Sequence, residues 1–231
     1  MIWESQAQFI SFVIFSTLFG ISCLVNLVSA FFEKEKLRCY SKPFCLFFLT
    51  IVSIIVSPSE PLIYLGAFFG FLGDIFLLKK RVKKWLVAGT ISFLIGHLIY
   101  ISQTITKISV SFKIEWYFYL LIIFALIFIF ALIFRPIYLL TKRSKLFSIG
   151  GSIYFSILIF SILVAAVGLY FFGYDWYLFV LLGTIMFLSS DIILTTTLFR
   201  HDIKRRDFYI MLTYLLAESF IVYGMLFTFA L

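Results

Sequence analysis

The chain has 231 residues, of which 63% are hydrophobic, 21% aromatic and only 13% charged. Soluble domains usually carry about 25% charged residues, so the composition argues against a soluble protein. The net charge of +8 does not indicate nucleic-acid binding, because the basic residues lie in short loops between hydrophobic segments, as in membrane proteins. No Lys or Arg precedes the first apolar stretch, so we expect no cleaved signal peptide there.

The apolar stretches predict eight membrane-spanning helices. A span needs about 20 apolar residues, with a range of about 17–25. In chain order the predicted spans are 8–31, 43–58, 61–78, 85–105, 116–134, 147–171, 176–199 and 208–230. The second span is short, and only the turn sequence at 57–61, which contains two prolines, separates it from the third. We therefore expect an all-α, polytopic membrane helix bundle that forms a single domain over residues 1–231.

The basic residues predict which loops face the cytoplasm. Of the 19 Lys and Arg residues, 17 lie in the first, third, fifth and seventh loops: Lys34, Lys36, Arg38, Lys42, Lys79, Lys80, Arg81, Lys83, Lys84, Arg135, Lys142, Arg143, Lys145, Arg200, Lys204, Arg205 and Arg206. The other two, Lys107 and Lys113, lie in the fourth loop. The positive-inside rule then places the odd-numbered loops in the cytoplasm and both termini on the opposite side. We expect the membrane to be a bacterial inner (plasma) membrane.

Two aspartates inside predicted spans suggest an internal repeat. Asp74 and Asp191 are 117 residues apart, and the sequences around them, 71–77 and 188–194, can be aligned. This offset fits two halves, 1–115 and 116–231, that run in the same direction with four spans each, a 4+4 parallel repeat. The alternative is that two spans ending in Asp arose independently.

Four ionisable side chains lie within the spans: Asp74, His97, Asp191 and Glu218. An acid at the centre of a membrane helix costs about 2.5–3.5 kcal/mol. Their distances along the chain from the basic loops place all four, and Tyr214, between the cytoplasmic surface and the midplane. We therefore expect these side chains to share a cavity that opens toward the cytoplasm.

Each of these side chains also has a purely structural interpretation. His97 is a candidate for a hydrogen bond between helices, and Tyr100 and Tyr214 are candidates for aromatic packing. Glu218 is a candidate for pairing with a histidine or tyrosine. The three cysteines and the two histidines form no cluster with the spacing of metal ligands, so we expect neither a metal nor another cofactor.

Five short motifs resemble one known family. They are SerLysPro at 41–43, GlyAspIlePheLeuLeu at 73–78, PheLeuIleGlyHisLeuIleTyr at 93–100, PheLeuSerSerAspIleIleLeu at 187–194 and ThrTyrLeuLeuAlaGlu at 213–218. In this order and spacing they resemble the YhhN family of multi-pass membrane proteins, whose characterised members are lysoplasmalogenases. The chain departs from the family at Glu218, where the family usually has Gln.

The resemblance implies hydrolysis of the vinyl ether bond of a lysoplasmalogen, a lysophospholipid. The products are a fatty aldehyde and glycerophosphoethanolamine or glycerophosphocholine. Protonation of the β-carbon forms an oxocarbenium ion, and water then adds to this ion. One carboxylic acid and one carboxylate suffice for these two steps, as in glycoside hydrolysis. We hypothesise that Asp74 and Asp191 form this acid/base pair, without deciding which is the acid.

The same hypothesis gives supporting roles to other residues. His97 and Tyr214 are expected to orient the acids or the water, and Tyr100 and Glu218 to line the substrate pocket. Lys42 is expected to bind the substrate phosphate as a point charge. Other partners are membrane lipids, and the oligomeric state is open.

Two alternatives come from other functional classes. A proton-coupled transporter of a lipid or small solute fits a repeat with midplane carboxylates. An intramembrane aspartyl protease also uses two membrane aspartates, and Gly73 and Asp74 match part of its GxGD motif. However, Phe71 replaces the first glycine of that motif, and no ProAlaLeu element follows near the C-terminus.

Overall fold

The computed structural model describes residues 5–79, 82–112, 116–141 and 144–229. In these residues it shows eight α-helices and no strand: α1 Gln6–Phe31, α2 Glu35–Val56, α3 Pro61–Leu77, α4 Lys83–Phe112, α5 Tyr117–Leu140, α6 Lys145–Phe172, α7 Tyr177–Phe199 and α8 Arg206–Phe229. Five of the basic residues used to predict topology lie outside the described residues: Lys80, Arg81, Lys113, Lys142 and Arg143.

The prediction of an all-α, polytopic membrane bundle is confirmed. Among the described residues, seven helices are long and apolar enough to cross a membrane. The remaining helix, α3, has 17 residues, which corresponds to a length of about 26 Å at ~1.5 Å per residue. A hydrocarbon core is about 30 Å thick, so α3 is slightly shorter than the core. It is also the helix that carries Asp74.

The second helix begins earlier than the sequence predicts. The predicted span starts at residue 43, whereas α2 begins at Glu35 and has 22 residues. Pro43 lies inside the helix rather than at its start, so the proline did not mark the boundary. Proline removes one backbone N–H, and the helix continues past it because its buried side chains pack against neighbouring helices. The short helix is therefore α3 and not α2.

One polar contact fixes the first turns of α2 against α1. Asn26 of α1 is fully buried, and its side-chain amide donates to the Arg38 carbonyl at 3.0 Å and to the Ser41 hydroxyl at 2.9 Å. A buried amide in an apolar bundle is costly unless it finds such partners. The contact therefore helps to set the position of Lys42, which follows Ser41.

Two helix pairs, α3 with α4 and α7 with α8, pack most closely, and small residues allow this. A Cβ added at Gly96 of α4 would lie 3.1 Å from the carbonyl oxygen of Gly66 on α3. A Cβ added at Gly183 of α7 would lie 2.7 Å from the carbonyl oxygen of Ala217 on α8. Small residues at such crossings let backbones approach closely in membranes. The two aspartate helices are thus each paired with the helix that follows them.

The helices also connect the two ends of the chain. Both α1 and α2 pack against α8, and α4 packs against α6. Asp74 on α3 and Asp191 on α7 are consequently brought to one side of the bundle, near the first, third and seventh loops. The 4+4 repeat remains a prediction.

Candidate functional site

A cavity of about 250 Å³ lies at the end of the bundle that carries the first, third and seventh loops. Its lining comes from α2, α3, α4, α7 and α8, and includes Lys42, Asp74, Phe93, Phe187, Asp191 and Tyr214. We call it the polar cavity. Both predicted catalytic aspartates therefore line one space, although they are 117 residues apart in the sequence.

Asp74 is paired with a lysine from the preceding helix. The Asp74 side chain is fully buried, and its Oδ1 lies 3.1 Å from the Nζ of Lys42. Neither Asp74 oxygen accepts a hydrogen bond of good geometry from the described residues. A buried charge needs such a counter-ion. Lys42 lies beside Asp74, with its side chain 11% exposed, rather than at an open mouth.

Asp191 has a different kind of partner. The hydroxyl of Tyr154 on α6 donates a hydrogen bond to its Oδ2. Among the described residues, no Lys, Arg or His lies within ion-pair distance of Asp191. The two aspartates thus have unlike surroundings, a cation for Asp74 and a neutral donor for Asp191. In each case the partner comes from the helix before the aspartate helix, α2 for α3 and α6 for α7.

Tyr214 belongs to an aromatic layer at the inner end of the polar cavity. Its ring lies 5.7 Å from the ring of Phe93 and 5.7 Å from that of Phe187, measured between centroids. The Nζ of Lys42 lies 5.8 Å from the centre of the Tyr214 ring. The Tyr214 hydroxyl is buried and makes no hydrogen bond of good geometry with the described residues, but it lies close enough to the Asp74 carboxyl group to interact with it.

The other three predicted site residues lie beyond this layer. His97 is buried, and its ring packs edge-on against Phe187 at 4.2 Å between centroids. Neither ring nitrogen of His97 has a hydrogen-bond partner in the described residues. The hydroxyl of Tyr100 donates to Glu218 Oε2 at 3.3 Å, and Glu218 lies against Gly70, one helical turn before Asp74. His97, Tyr100 and Glu218 form a deeper polar cluster instead of lining the polar cavity.

The outer part of the polar cavity carries charges of both signs. Arg38 of α2 and Asp207 of α8 form an ion pair at 3.4 Å, and Arg206 lies 3.8 Å from the same aspartate. Glu35 and Lys79 complete this outer part. The Arg38–Asp207 pair links the start of α2 to the start of α8. A ligand that enters here meets both guanidinium and carboxylate groups.

A second cavity adjoins the first. It has a volume of about 320 Å³ and lies between α4, α5, α6 and α7, with apolar side chains over most of its wall. We call it the apolar chamber. Leu77, Phe93, Asp191 and Leu194 line both cavities, so Asp191 lies where they meet. At its outer edge Ile91 and Ile153 are 50% and 45% exposed, so the chamber opens sideways toward the lipid.

Metal-ligating side chains do not cluster in the described residues. In residues 5–79, 82–112, 116–141 and 144–229, no group of three His, Cys, Asp or Glu side chains is placed to hold a metal ion. Asp74 and Asp191 instead have Lys42 and Tyr154 as partners. The donor set suits proton transfer rather than metal coordination.

Sequence reasoning missed several residues of this site. Tyr154 was not predicted, because it is one of 13 tyrosines and belongs to no motif or charge pattern. The position of Lys42 is the signal that could have indicated Tyr154. Lys42 contacts Asp74 from the preceding helix, so a polar side chain on the helix before Asp191 is the corresponding candidate. Arg38 and Arg206 were assigned only to topology, although both line the polar cavity.

Comparison with known proteins agrees with the motifs. The model of the YhhN family matches residues 37–225, which include all the residues that form the inner part of the polar cavity. Neither the curated proteins nor the solved structures gave a match. The chain belongs to the YhhN family.

Proposed function

From this membership of the YhhN family, we propose that the protein is a lysoplasmalogenase, an ether hydrolase. It would cleave the vinyl ether bond of alkenyl-glycerophosphoethanolamine or alkenyl-glycerophosphocholine. The observation that carries the proposal is the pair of buried aspartates, Asp74 and Asp191, on one cavity inside a membrane bundle. A hydrolysis that needs one proton donor and one proton acceptor can use such a pair.

The surroundings of the two aspartates support different roles. Lys42 balances the charge of Asp74, so we propose Asp74 as the carboxylate that activates water. Asp191 has a hydroxyl partner and no cation at ion-pair distance among the described residues, so we propose it as the carboxylic acid. In other enzymes the acid and the base of a carboxyl pair are identified in the same way, because unlike environments give the two groups different proton affinities.

The proposed reaction returns both groups to their starting states. Asp191 donates its proton to the β-carbon of the vinyl ether, and the double-bond electrons form the new C–H bond. Water adds to the resulting oxocarbenium carbon while Asp74 takes a proton from it. The hemiacetal then collapses: the bond to the glycerol oxygen breaks, Asp74 protonates that oxygen, and the hemiacetal hydroxyl returns its proton to Asp191. No cofactor enters any step.

The polar headgroup has a suitable place in the outer part of the polar cavity. We place the phosphate near Lys79, Arg38 and Arg206, although both guanidinium groups also pair with Asp207. We do not place it on Lys42, because a phosphate there would compete with the fully buried Asp74 for its counter-ion. Guanidinium groups suit phosphate because they donate in a planar fork. By the positive-inside rule this end of the bundle faces the cytoplasm. The Tyr214 hydroxyl would orient the water, and the deeper polar cluster would support the site from behind.

A direct assay tests the proposal. Purified protein is incubated with lysoplasmenylethanolamine, and the released fatty aldehyde is measured. The matched control substrate is the saturated ether lysolipid, which lacks the double bond that accepts the proton. We expect aldehyde from the vinyl ether alone. Equal cleavage of both lipids, or cleavage of neither, would contradict a vinyl ether hydrolase.

One observation favours a proton-coupled transporter as the second candidate. Polar side chains continue along α4 from the deeper polar cluster to the opposite end of the bundle. Thr104 hydrogen-bonds Tyr177 at 2.8 Å, while Gln103 and Lys107 contact Glu60 at 2.6 and 2.5 Å. Such chains occur in proton relays. Proton-linked uptake into proteoliposomes without bond cleavage would favour this candidate over the hydrolase.

A further inference from the structure

We propose that the apolar chamber binds the hydrocarbon chain of a single-chain ether lipid, with the headgroup in the polar cavity and the vinyl ether between them at Asp191. This inference deepens the proposed function and rests on it. It assigns a binding site to the hydrocarbon chain and gives the orientation of the substrate in the two cavities.

The first argument is continuity of the two cavities. They share Leu77, Phe93, Asp191 and Leu194, so one molecule can occupy both. The polar cavity offers charges and the apolar chamber offers hydrocarbon-like walls, which matches a lipid with one headgroup and one chain. The chamber volume of about 320 Å³ lies within the range of about 300–1,000 Å³ usual for ligand pockets.

The second argument comes from the chemistry of the bond. In a vinyl ether the carbon that accepts the proton is the one on the chain side, and the carbon that water attacks is bonded to the ether oxygen. Asp191 lines the chamber as well as the polar cavity, whereas Asp74 lines the polar cavity. A chain in the chamber therefore presents its protonated carbon to Asp191 and its oxygen side to Asp74. The reverse orientation would place the charged headgroup against apolar walls, which is unfavourable for a charge that has no partner there.

The third argument is the route of entry. Ile91 on α4 and Ile153 on α6 are exposed at the chamber edge, and such side chains contact lipid in a membrane bundle. A single-chain lipid can then slide in sideways with its headgroup remaining at the level of the basic loops. The alternative is that an ordinary membrane lipid covers the exposed edge of the chamber without entering it.

Substitutions that fill the chamber test the proposal. Gly150 lines the chamber from α6, and a Cβ added there would meet nothing within 4 Å. Thr195 lines it from α7. We choose Gly150→Phe and Thr195→Phe, so that one poorly folded variant leaves the other informative. Gly20→Phe on α1 is the matched control, because a Cβ there also meets nothing within 4 Å.

The measured quantity is kcat/KM for a hexadecenyl lysolipid divided by that for a butenyl analogue. A pocket that loses room for even one methylene discriminates by ~10-fold or more, so we expect the ratio to fall at least about 10-fold in both filling variants and to stay unchanged in Gly20→Phe. An unchanged ratio in both filling variants would overturn the proposal, whether their activity stays normal or falls equally for both lipids.

A binding experiment separates this proposal from the hydrolase proposal. A saturated ether lysolipid with a diazirine at the end of its chain is photo-crosslinked to the wild-type protein and to Gly150→Phe. We expect labelling of α6 and α7 in the wild type and a loss of about 10-fold in the variant, since lost room for even one methylene group has an effect of this size. If no vinyl ether is cleaved but this pattern is found, the hydrolase fails and the chain site stands. Equal labelling of both proteins would indicate a lipid that only covers the surface, and the chain site would be refuted.

Discussion

Replacing Lys42 by methionine isolates the contribution of its charge. Methionine keeps much of the side-chain length but leaves the fully buried Asp74 without the ammonium group that lies 3.1 Å from it. Removing one partner of a buried ion pair costs about 3–5 kcal/mol. The Lys42 side chain is still 11% exposed at the polar cavity, so we expect the lower end, about 3 kcal/mol.

The change is measurable by thermal unfolding in detergent, followed by tryptophan fluorescence. At about 2–4 °C per kcal/mol for a chain of this size, Lys42→Met lowers Tm by about 6–12 °C. The double variant Lys42→Met with Asp74→Asn should recover at least about 2 kcal/mol, because no uncompensated charge remains. Neither variant should release aldehyde, since Lys42→Met lacks the counter-ion of the proposed base and the double variant lacks both the base and its counter-ion. Lys36→Met, at an exposed position in the first turn of α2, should leave Tm unchanged.

Two results would refute this reasoning. One is an unchanged Tm for Lys42→Met. The other is a double variant whose loss of stability equals the sum of the two single losses, because additive effects mean that the two residues do not interact.

Three further predictions test individual contacts. Tyr154→Phe removes the hydroxyl that donates to Asp191. As Asp191 gives up its proton in the transition state it becomes a carboxylate, and a hydrogen bond to a charged group is worth about 1.5–3 kcal/mol, so kcat should fall about 10–100-fold with KM unchanged. A kcat equal to that of the wild type would remove Tyr154 from the mechanism. Gly183→Ala places a methyl group against a backbone oxygen of α8, so it should lower the free energy of unfolding by about 1–3 kcal/mol. The control Gly20→Ala meets open space and should not destabilise the protein. Equal Tm values for the two variants would contradict the close crossing of α7 and α8. Asn26→Ala removes two hydrogen bonds to the first turns of α2, and a loss of stability below about 0.5 kcal/mol would argue against their role.

The helices could be predicted because apolar length alone determines them in a membrane protein. The boundaries of α3 and α7 agree with the sequence to within about one residue. The predicted start of α2 was wrong. The apolar stretch begins only after the charge-rich residues 34–42, whereas the helix already includes most of them. Residues 35–42 form helical turns that extend beyond the apolar segment. Asn26 of α1 hydrogen-bonds to these turns, and a hydropathy profile cannot predict such a contact.

The candidate site could be predicted only in part. Asp74 and Asp191 stood out because an acid in an apolar span is costly, and the structure brings both to the polar cavity. Shared depth also suggested His97, yet side chains at one depth can face different spaces, and an aromatic layer separates it from this cavity. Tyr154 carries no charge and belongs to no motif, so only three-dimensional packing shows that it meets Asp191.

The central claim is that the two buried aspartates cleave a vinyl ether. The most direct measurement is aldehyde release from lysoplasmenylethanolamine by purified wild-type protein, Asp74→Asn and Asp191→Asn. Asp175→Asn, at an exposed position between α6 and α7, is the matched control. Loss of a general acid or base costs about 100-fold or more, so both cavity variants should fall by at least that factor while Asp175→Asn matches the wild type. Full turnover in correctly folded Asp74→Asn and Asp191→Asn would contradict the account.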